Sequence, residues 1–93
     1  METKIGLLKA LADESRMKII QLLLSGEKCA CAIVPYIGKA QPTVSRHLKV
    51  LEEAGVVVSR REGTNIWYKL KSQNAARILG VLGIRKTKFK AKC

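Results

Sequence analysis

The stretch Gln41 to Gly55, Gln-Pro-Thr-Val-Ser-Arg-His-Leu-Lys-Val-Leu-Glu-Glu-Ala-Gly, carries both a start and a stop for one amphipathic helix. Proline fits the first helical turn, where its missing N–H is an orphan in any case, and glycine fits the left-handed position just past the end. At about 100° per residue, Val44, Leu48 and Leu51 fall on one stripe, while Ser45, Arg46 and Lys49 project from the other side. One face is for a core and the other is hydroxylated and basic. Glu52 and Glu53 are held back to the C-terminal end, so the N-terminal half offers positive charge and short polar groups that suit phosphates and base edges. A solvated helix with a charged outer face has the same pattern. The next stretch weighs against it: Val56 to Leu70 reads as two short strands around Glu62-Gly63-Thr64-Asn65, with Arg60 and Arg61 beside the turn and Ile66, Tyr68 and Leu70 alternating with Trp67 and Lys69. A helix followed by a basic hairpin is the order of a winged helix-turn-helix.

The chain before this unit supplies the other helices. Lys4 to Ala12 has Ile5, Leu8 and Leu11 at spacings of three, a candidate dimer element. Asp13 is placed to cap the next helix, Glu14 suits the positive end of its dipole, and Met17, Ile20 and Leu24 follow on one side until Ser25-Gly26. Cys29 to Ile37 is expected to be the first helix of the helix-turn-helix, with Gly38 to Ala40 as the turn. Pro35 lies inside it. Its ring crowds the Cys31 carbonyl and it cannot donate to that oxygen, so an irregular backbone is expected at Cys31. With Ala40 ahead of the recognition helix, Gln41, Thr43 or water is left to cap it. After the hairpin, Asn74 to Gly83 gives a last helical pattern with Ile78, Leu79 and Leu82 apolar.

The chain has 93 residues, 47% of them apolar and 4% aromatic, enough for one domain with a modest aliphatic core. A net charge of +11 points to a polyanionic partner, because neutralised phosphates release counterions. Double-stranded nucleic acid is the first candidate. No apolar run approaches the 18 or so residues of a membrane span, so no membrane partner and a cytoplasmic location are expected. Three cysteines, Cys29, Cys31 and Cys93, are unlike a secreted disulfide framework. No glycine-rich phosphate loop or catalytic carboxylate pair is present, and a Cys29/His47 nucleophile pair would lack an acid to orient it, so no enzymatic activity is expected.

Ala10-Leu-Ala-Asp-Glu-Ser-Arg-Met-Lys-Ile-Ile-Gln-Leu-Leu, then Gln41 to Val57, then Arg60-Arg-Glu-Gly with Trp67-Tyr, together resemble the ArsR/SmtB family of small metal-responsive repressors. The resemblance covers about Leu7 to Leu70. It implies a mainly α winged helix-turn-helix with a β-hairpin wing, about five helices and two strands, occupying residues 1–84, and a basic tail over 85–93. It also implies a homodimer through the first and last helices, which would set two recognition helices about one DNA turn apart on a palindromic operator. The expected DNA-binding residues are Gln41, Thr43, Ser45, Arg46, His47 and Lys49 on the helix and Arg60 and Arg61 on the wing. His47 lies at the edge of the apolar stripe, which suits packing or a phosphate contact better than metal ligation. Ala40 stands where many family members have a capping serine.

Cys29-Ala-Cys31 matches the paired cysteines of arsenic-sensing members of that family. Thiolates are soft ligands, suited to trivalent arsenic or antimony or to cadmium, which would act as effectors rather than as a required cofactor. The family's third cysteine is Val34 here, so a third sulfur must come from Cys93 or be replaced by a small external ligand. The family's other site, built from Asp and His on the last helix, has no counterpart between Asn74 and Cys93. Geometry raises an objection, since residues two apart on a regular helix point about 200° apart; distortion at Pro35 would answer it. A thiol-redox pair and two small buried residues with no ligand stand as the other readings of the cysteines. For the whole protein, the alternatives are a thiol-redox-responsive or ligand-independent winged-helix regulator and an architectural DNA-binding protein.

Overall fold

The computed structural model describes residues 2–85, so the tail from 86 onward, including Phe89 and Cys93, lies outside the described residues. The elements run α1 (Glu2–Leu11), α2 (Glu14–Leu23), β1 (Lys28–Cys29), α3 (Ala30–Ile37), α4 (Gln41–Glu53), β2 (Val57–Glu62), β3 (Asn65–Leu70) and α5 (Gln73–Val81). Asp13 starts α2 as its position suggested: its backbone is extended and its Oδ2 accepts from the Arg16 amide at 3.0 Å. Ser72 does the same for α5, accepting from the Ala75 amide at 3.1 Å.

The stripe on α4 is the anchor of the core, with Val44, Leu48 and Leu51 at most 2% exposed. Burying each such side chain is worth roughly 1.5–3 kcal/mol. They meet Ile19, Ile20, Leu22 and Leu23 of α2, Ile33 of α3, Val56 and Val57 at the start of the hairpin, and Ala75 and Leu79 of α5. On α2 the buried arc is wider than expected and is turned away from Met17 and Leu24, which are only half-buried. Contacts with α1, α3, α4, β3 and α5 surround this helix, and a narrow stripe cannot serve so many neighbours.

The sheet has three strands where the sequence suggested two. All pair antiparallel in the order β1-β3-β2, with Lys28 opposite Tyr68, Cys29 opposite Trp67, and Arg60 opposite Trp67 on the other edge. The added strand exists because Cys29, expected inside α3, is extended at φ −82° and ψ 157° and precedes the helix. The irregularity expected at Cys31 therefore falls at Cys29 instead, and Cys31 stays helical. Pro35 is the sixth residue of a helix of 8, so it costs α3 the one bond that its N–H would have made to the Cys31 carbonyl. Gly63, at φ 62°, takes the first position of the two-residue turn between β2 and β3, a conformation that side chains with a Cβ resist.

The helix pair α3–α4 with the β2–β3 wing after it is a winged helix-turn-helix. Among the described residues, no helix is long and apolar enough to cross a membrane.

Candidate nucleic-acid interface and thiol pair

The outer face of α4 is open. Gln41, Ser45, Arg46 and Lys49 are exposed and Thr43 is half-buried. No side chain caps the helix at Ala40, so neither Gln41 nor Thr43 performs that role, and Pro42 in the first turn reduces the number of amides needing one. The start of α4 thus presents backbone N–H groups beside basic and hydroxyl side chains.

His47 points elsewhere. Its side chain is 16% exposed, and its Nδ1 accepts from Arg16 Nη1 at 3.3 Å, which requires the ring proton on Nε2. Asp13 Oδ2 lies 3.8 Å from the same nitrogen. Arg16 also donates through Nε to the Ala10 carbonyl at 2.6 Å and through Nη2 to the Lys9 carbonyl at 3.3 Å. The histidine therefore ties the recognition helix to the corner between α1 and α2. The Arg16 amide hydrogen bond, partly offset by burial, holds the Asp13 carboxyl below the usual carboxylate range.

The two wing arginines also part company. Arg60 donates to Glu27 through Nε at 2.9 Å and Nη2 at 2.8 Å, and to Glu62 through Nη1 at 2.7 Å, with its guanidinium 5.5 Å from the Trp67 ring centroid. Hydrogen bonds from Arg60 hold Glu27 below its ordinary pKa, and those two carboxylates raise that of Arg60. Arg61, one residue on, faces the other side of the strand and is exposed. One residue before Arg60 on β2, Ser59 Oγ donates to Glu52 Oε2 at 2.5 Å and fastens the wing to the last turn of α4.

Cys29 and Cys31 are brought together and joined as a disulfide, with Cα atoms 5.3 Å apart. The 200° objection lapses because only Cys31 is on the helix. Cys29 is 1% exposed, whereas Cys31 is exposed and lines a groove of about 420 Å³ with Ala30, Val34, Pro35, Gln41, Thr64, Asn65 and Ile66. Among the described residues no group of three His, Cys, Asp or Glu side chains gathers into a metal-holding cluster, and Cys93 lies outside them.

A second groove, of about 400 Å³, runs between α1 and α5 and is lined by Leu7, Leu8, Ile78, Val81 and Leu82 with Lys4, Asn74 and Arg77. Leu8 at 52%, Val81 at 86% and Leu82 at 60% are exposed there, and Ile5 of α1, outside the groove lining, is 45% exposed. Sequence reasoning missed Val81 and, more instructively, Glu27 as the partner of Arg60. Opposite charges 33 residues apart become neighbours only through β1, which periodicity does not announce.

Residues 13–59 match the family model described as bacterial regulatory protein, arsR family. The chain is 42% identical over 64 residues to an arsenical resistance operon repressor of Staphylococcus aureus, covering 69% of this chain and 62% of that one. It is 42% identical over 67 residues to the arsenical resistance operon repressor of Escherichia coli K12, covering 71% and 57%. The alignments thus span about three fifths of the length of those two relatives. Among solved structures, the homodimeric winged helix-turn-helix DNA-binding domain from Mycobacterium bovis aligns at a TM-score of 0.79 with 32% identity, over 89% of this chain and 77% of that one.

Proposed function

The chain belongs to the arsR family of bacterial regulatory proteins, and from that premise we propose that it is a homodimeric transcriptional repressor released from a palindromic operator by a thiophilic ion at Cys29 and Cys31. Trivalent arsenic or antimony is the favoured effector and cadmium the next. The observation that carries this reading is the position of the sulfur pair: it sits at the junction of β1 and α3, with Cys31 sharing a groove with Gln41 of α4 and with Thr64 and Asn65 of the wing. Any ligand that re-spaces the two sulfurs moves the start of α3, and α3 leads through Gly38 to Ala40 into the recognition helix. Ser45, Arg46 and Lys49 would read the major groove, while Arg61 would meet phosphate. The groove between α1 and α5 would close against a second copy, in keeping with the homodimeric relative.

The test is a titration of the protein, reduced with a phosphine, on a duplex selected from a random pool, followed by anisotropy, with arsenite, antimonite, cadmium and zinc added in turn. Release by the first three and not by zinc is the expected result. Retention of the duplex at saturating levels of every thiophilic ion would remove the metalloid reading. The disulfide supports a second reading, in which oxidation of the pair is itself the signal. On that reading the oxidised and reduced forms differ in operator affinity with no ion present.

A further inference from the structure

His47 is the single histidine of the chain, and its Nδ1 stands between a donor and an acceptor. Arg16 Nη1 lies 3.3 Å from it and Asp13 Oδ2 lies 3.8 Å from it. A guanidinium only donates, so the first contact is a hydrogen bond while Nδ1 is unprotonated. A carboxylate only accepts, so the second becomes one when Nδ1 carries a proton. One nitrogen cannot serve both at once. Asp13 is ready for its turn, because the Arg16 amide hydrogen bond holds its carboxyl below the usual carboxylate range. The imidazole is carried by the recognition helix α4, next in sequence to Arg46 on the open face. Both competing groups belong to the corner where α1 meets α2, and Arg16 is tied there to the Ala10 and Lys9 carbonyls at 2.6 and 3.3 Å.

We propose that His47 and Arg16 are positioning residues for operator recognition, and that protonation of His47 transfers its Nδ1 from Arg16 to Asp13 and lowers operator affinity. This rests on the repressor reading above and adds a proton to what that repressor responds to. The step takes one proton from solvent onto Nδ1, breaks the hydrogen bond from Arg16 Nη1 and forms one from Nδ1 to Asp13 Oδ2. A charge-assisted hydrogen bond of this kind is about 2.7–2.9 Å long, so closing the gap draws the ring, and the helix that carries it, about 1 Å toward the start of α2. The imidazolium also repels the guanidinium that fastened it to α1. The sign distinguishes this from ordinary electrostatics, since an added positive charge strengthens binding to every duplex, whereas a misplaced recognition helix weakens the operator complex alone. The other elements packed on α4 bring Lys4 and Lys9 of α1, Glu14 and Lys18 of α2, Tyr36 of α3 and Arg61 of β2, while Arg60 and Glu62 of β2 pair with each other. Carboxylate, phenol, ammonium and guanidinium groups ordinarily keep their charge between pH 8 and 6, where imidazole changes its own.

The experiment follows the anisotropy of the selected operator duplex and of a random duplex with the full chain between pH 8 and 6 at constant ionic strength. Operator affinity is expected to fall by about tenfold across that range, within the usual span of coupled equilibria, while affinity for the random duplex holds or rises. His47→Asn puts an amide oxygen as many bonds from the backbone as Nδ1, accepts from Arg16 and does not titrate, so its operator affinity is expected to be flat with pH. Asp13→Asn keeps an oxygen for the Arg16 amide but lacks the charge that favours an imidazolium, so its fall is expected at lower pH than in the parent. The ring nitrogen resonances of the single histidine are expected to show the proton on Nε2 at pH 8. Operator affinity that is flat or rises with acid, equal falls on both duplexes, the same fall in His47→Asn, or a proton on Nδ1 at pH 8 overturns the proposal. If an operator is selected and held at pH 8, the repressor reading survives every one of these failures. If no duplex is preferred over random DNA at pH 8, the repressor reading fails and this proposal goes with it.

Discussion

Replacing Arg61 with alanine should change how DNA binding depends on salt by more than twice as much as replacing Arg60 does. The sequence marks both as DNA-binding residues of the wing. In the folded chain Arg60 is held by Glu27 and Glu62, so the three groups together carry no surplus positive charge to offer a phosphate. Arg61 is exposed and forms no ion pair among the described residues. Each neutralised phosphate contributes about 0.9 to the slope of log K against log salt. Losing Arg61 from one wing then removes a factor of about 3.5 from the change in affinity between 50 and 200 mM salt, and losing it from both wings of a dimer removes about twelvefold. The assay is anisotropy on a random duplex at four or more salt concentrations. Arg61→Ala should flatten the slope by about 1.8 per dimer, and Arg60→Ala by less than half of that. Equal flattening by the two variants would show that the Glu27 and Glu62 pairings do not persist in solution, and would refute the assignment of Arg60 to an internal role.

Three other perturbations follow from the same geometry. Arg46→Ala should cost about 1–3 kcal/mol of discrimination between operator and random duplex, as expected for a side chain that reads a base edge; equal losses on both duplexes would place Arg46 on phosphate. Asp13→Ala should lower stability in urea by about 1 kcal/mol through loss of the cap on Arg16. Because the Asp13 carboxyl is held below its ordinary range, its contribution is fully present above the unfolded value of about 3.9 and fades as pH falls through the lower folded value. Asp13→Ala should therefore show a shallower loss of stability on the acid side than the parent, and an unchanged acid limb would contradict that. Leu82→Asp, on a side chain 60% exposed in the single chain, should produce monomers in sedimentation at micromolar protein without unfolding them.

Much of this was legible because local chemistry and tertiary demand agree along α4. Its stripe of Val44, Leu48 and Leu51, its basic outer face and the turn at Gly63 all follow from periodicity and backbone preference. The features that escaped are those set by partners distant in the chain. Nothing near Arg60 marks Glu27 as its partner, and nothing near His47 marks Arg16. Strand β1 escaped because two residues are too few for an alternating pattern, and its existence is what moved Cys29 out of the helix. The helical wheel placed His47 at the edge of the stripe, which is compatible with either face; the corner formed by Asp13 and Arg16 decides it.

Ligand at the sulfur pair and DNA at α4 are expected to exclude one another. Linkage requires the two effects to be equal, so one measurement suffices: operator affinity with and without saturating arsenite, alongside arsenite affinity with and without saturating operator, all on the reduced protein. The expected outcome is the same factor in both directions, about 5- to 150-fold, falling to one in Cys29→Ser and Cys31→Ser while their operator affinity stays close to that of the parent. A factor of one in the parent, or a coupling that persists in both serine variants, would mean that Cys29 and Cys31 are packing residues and that this chain is not switched through them.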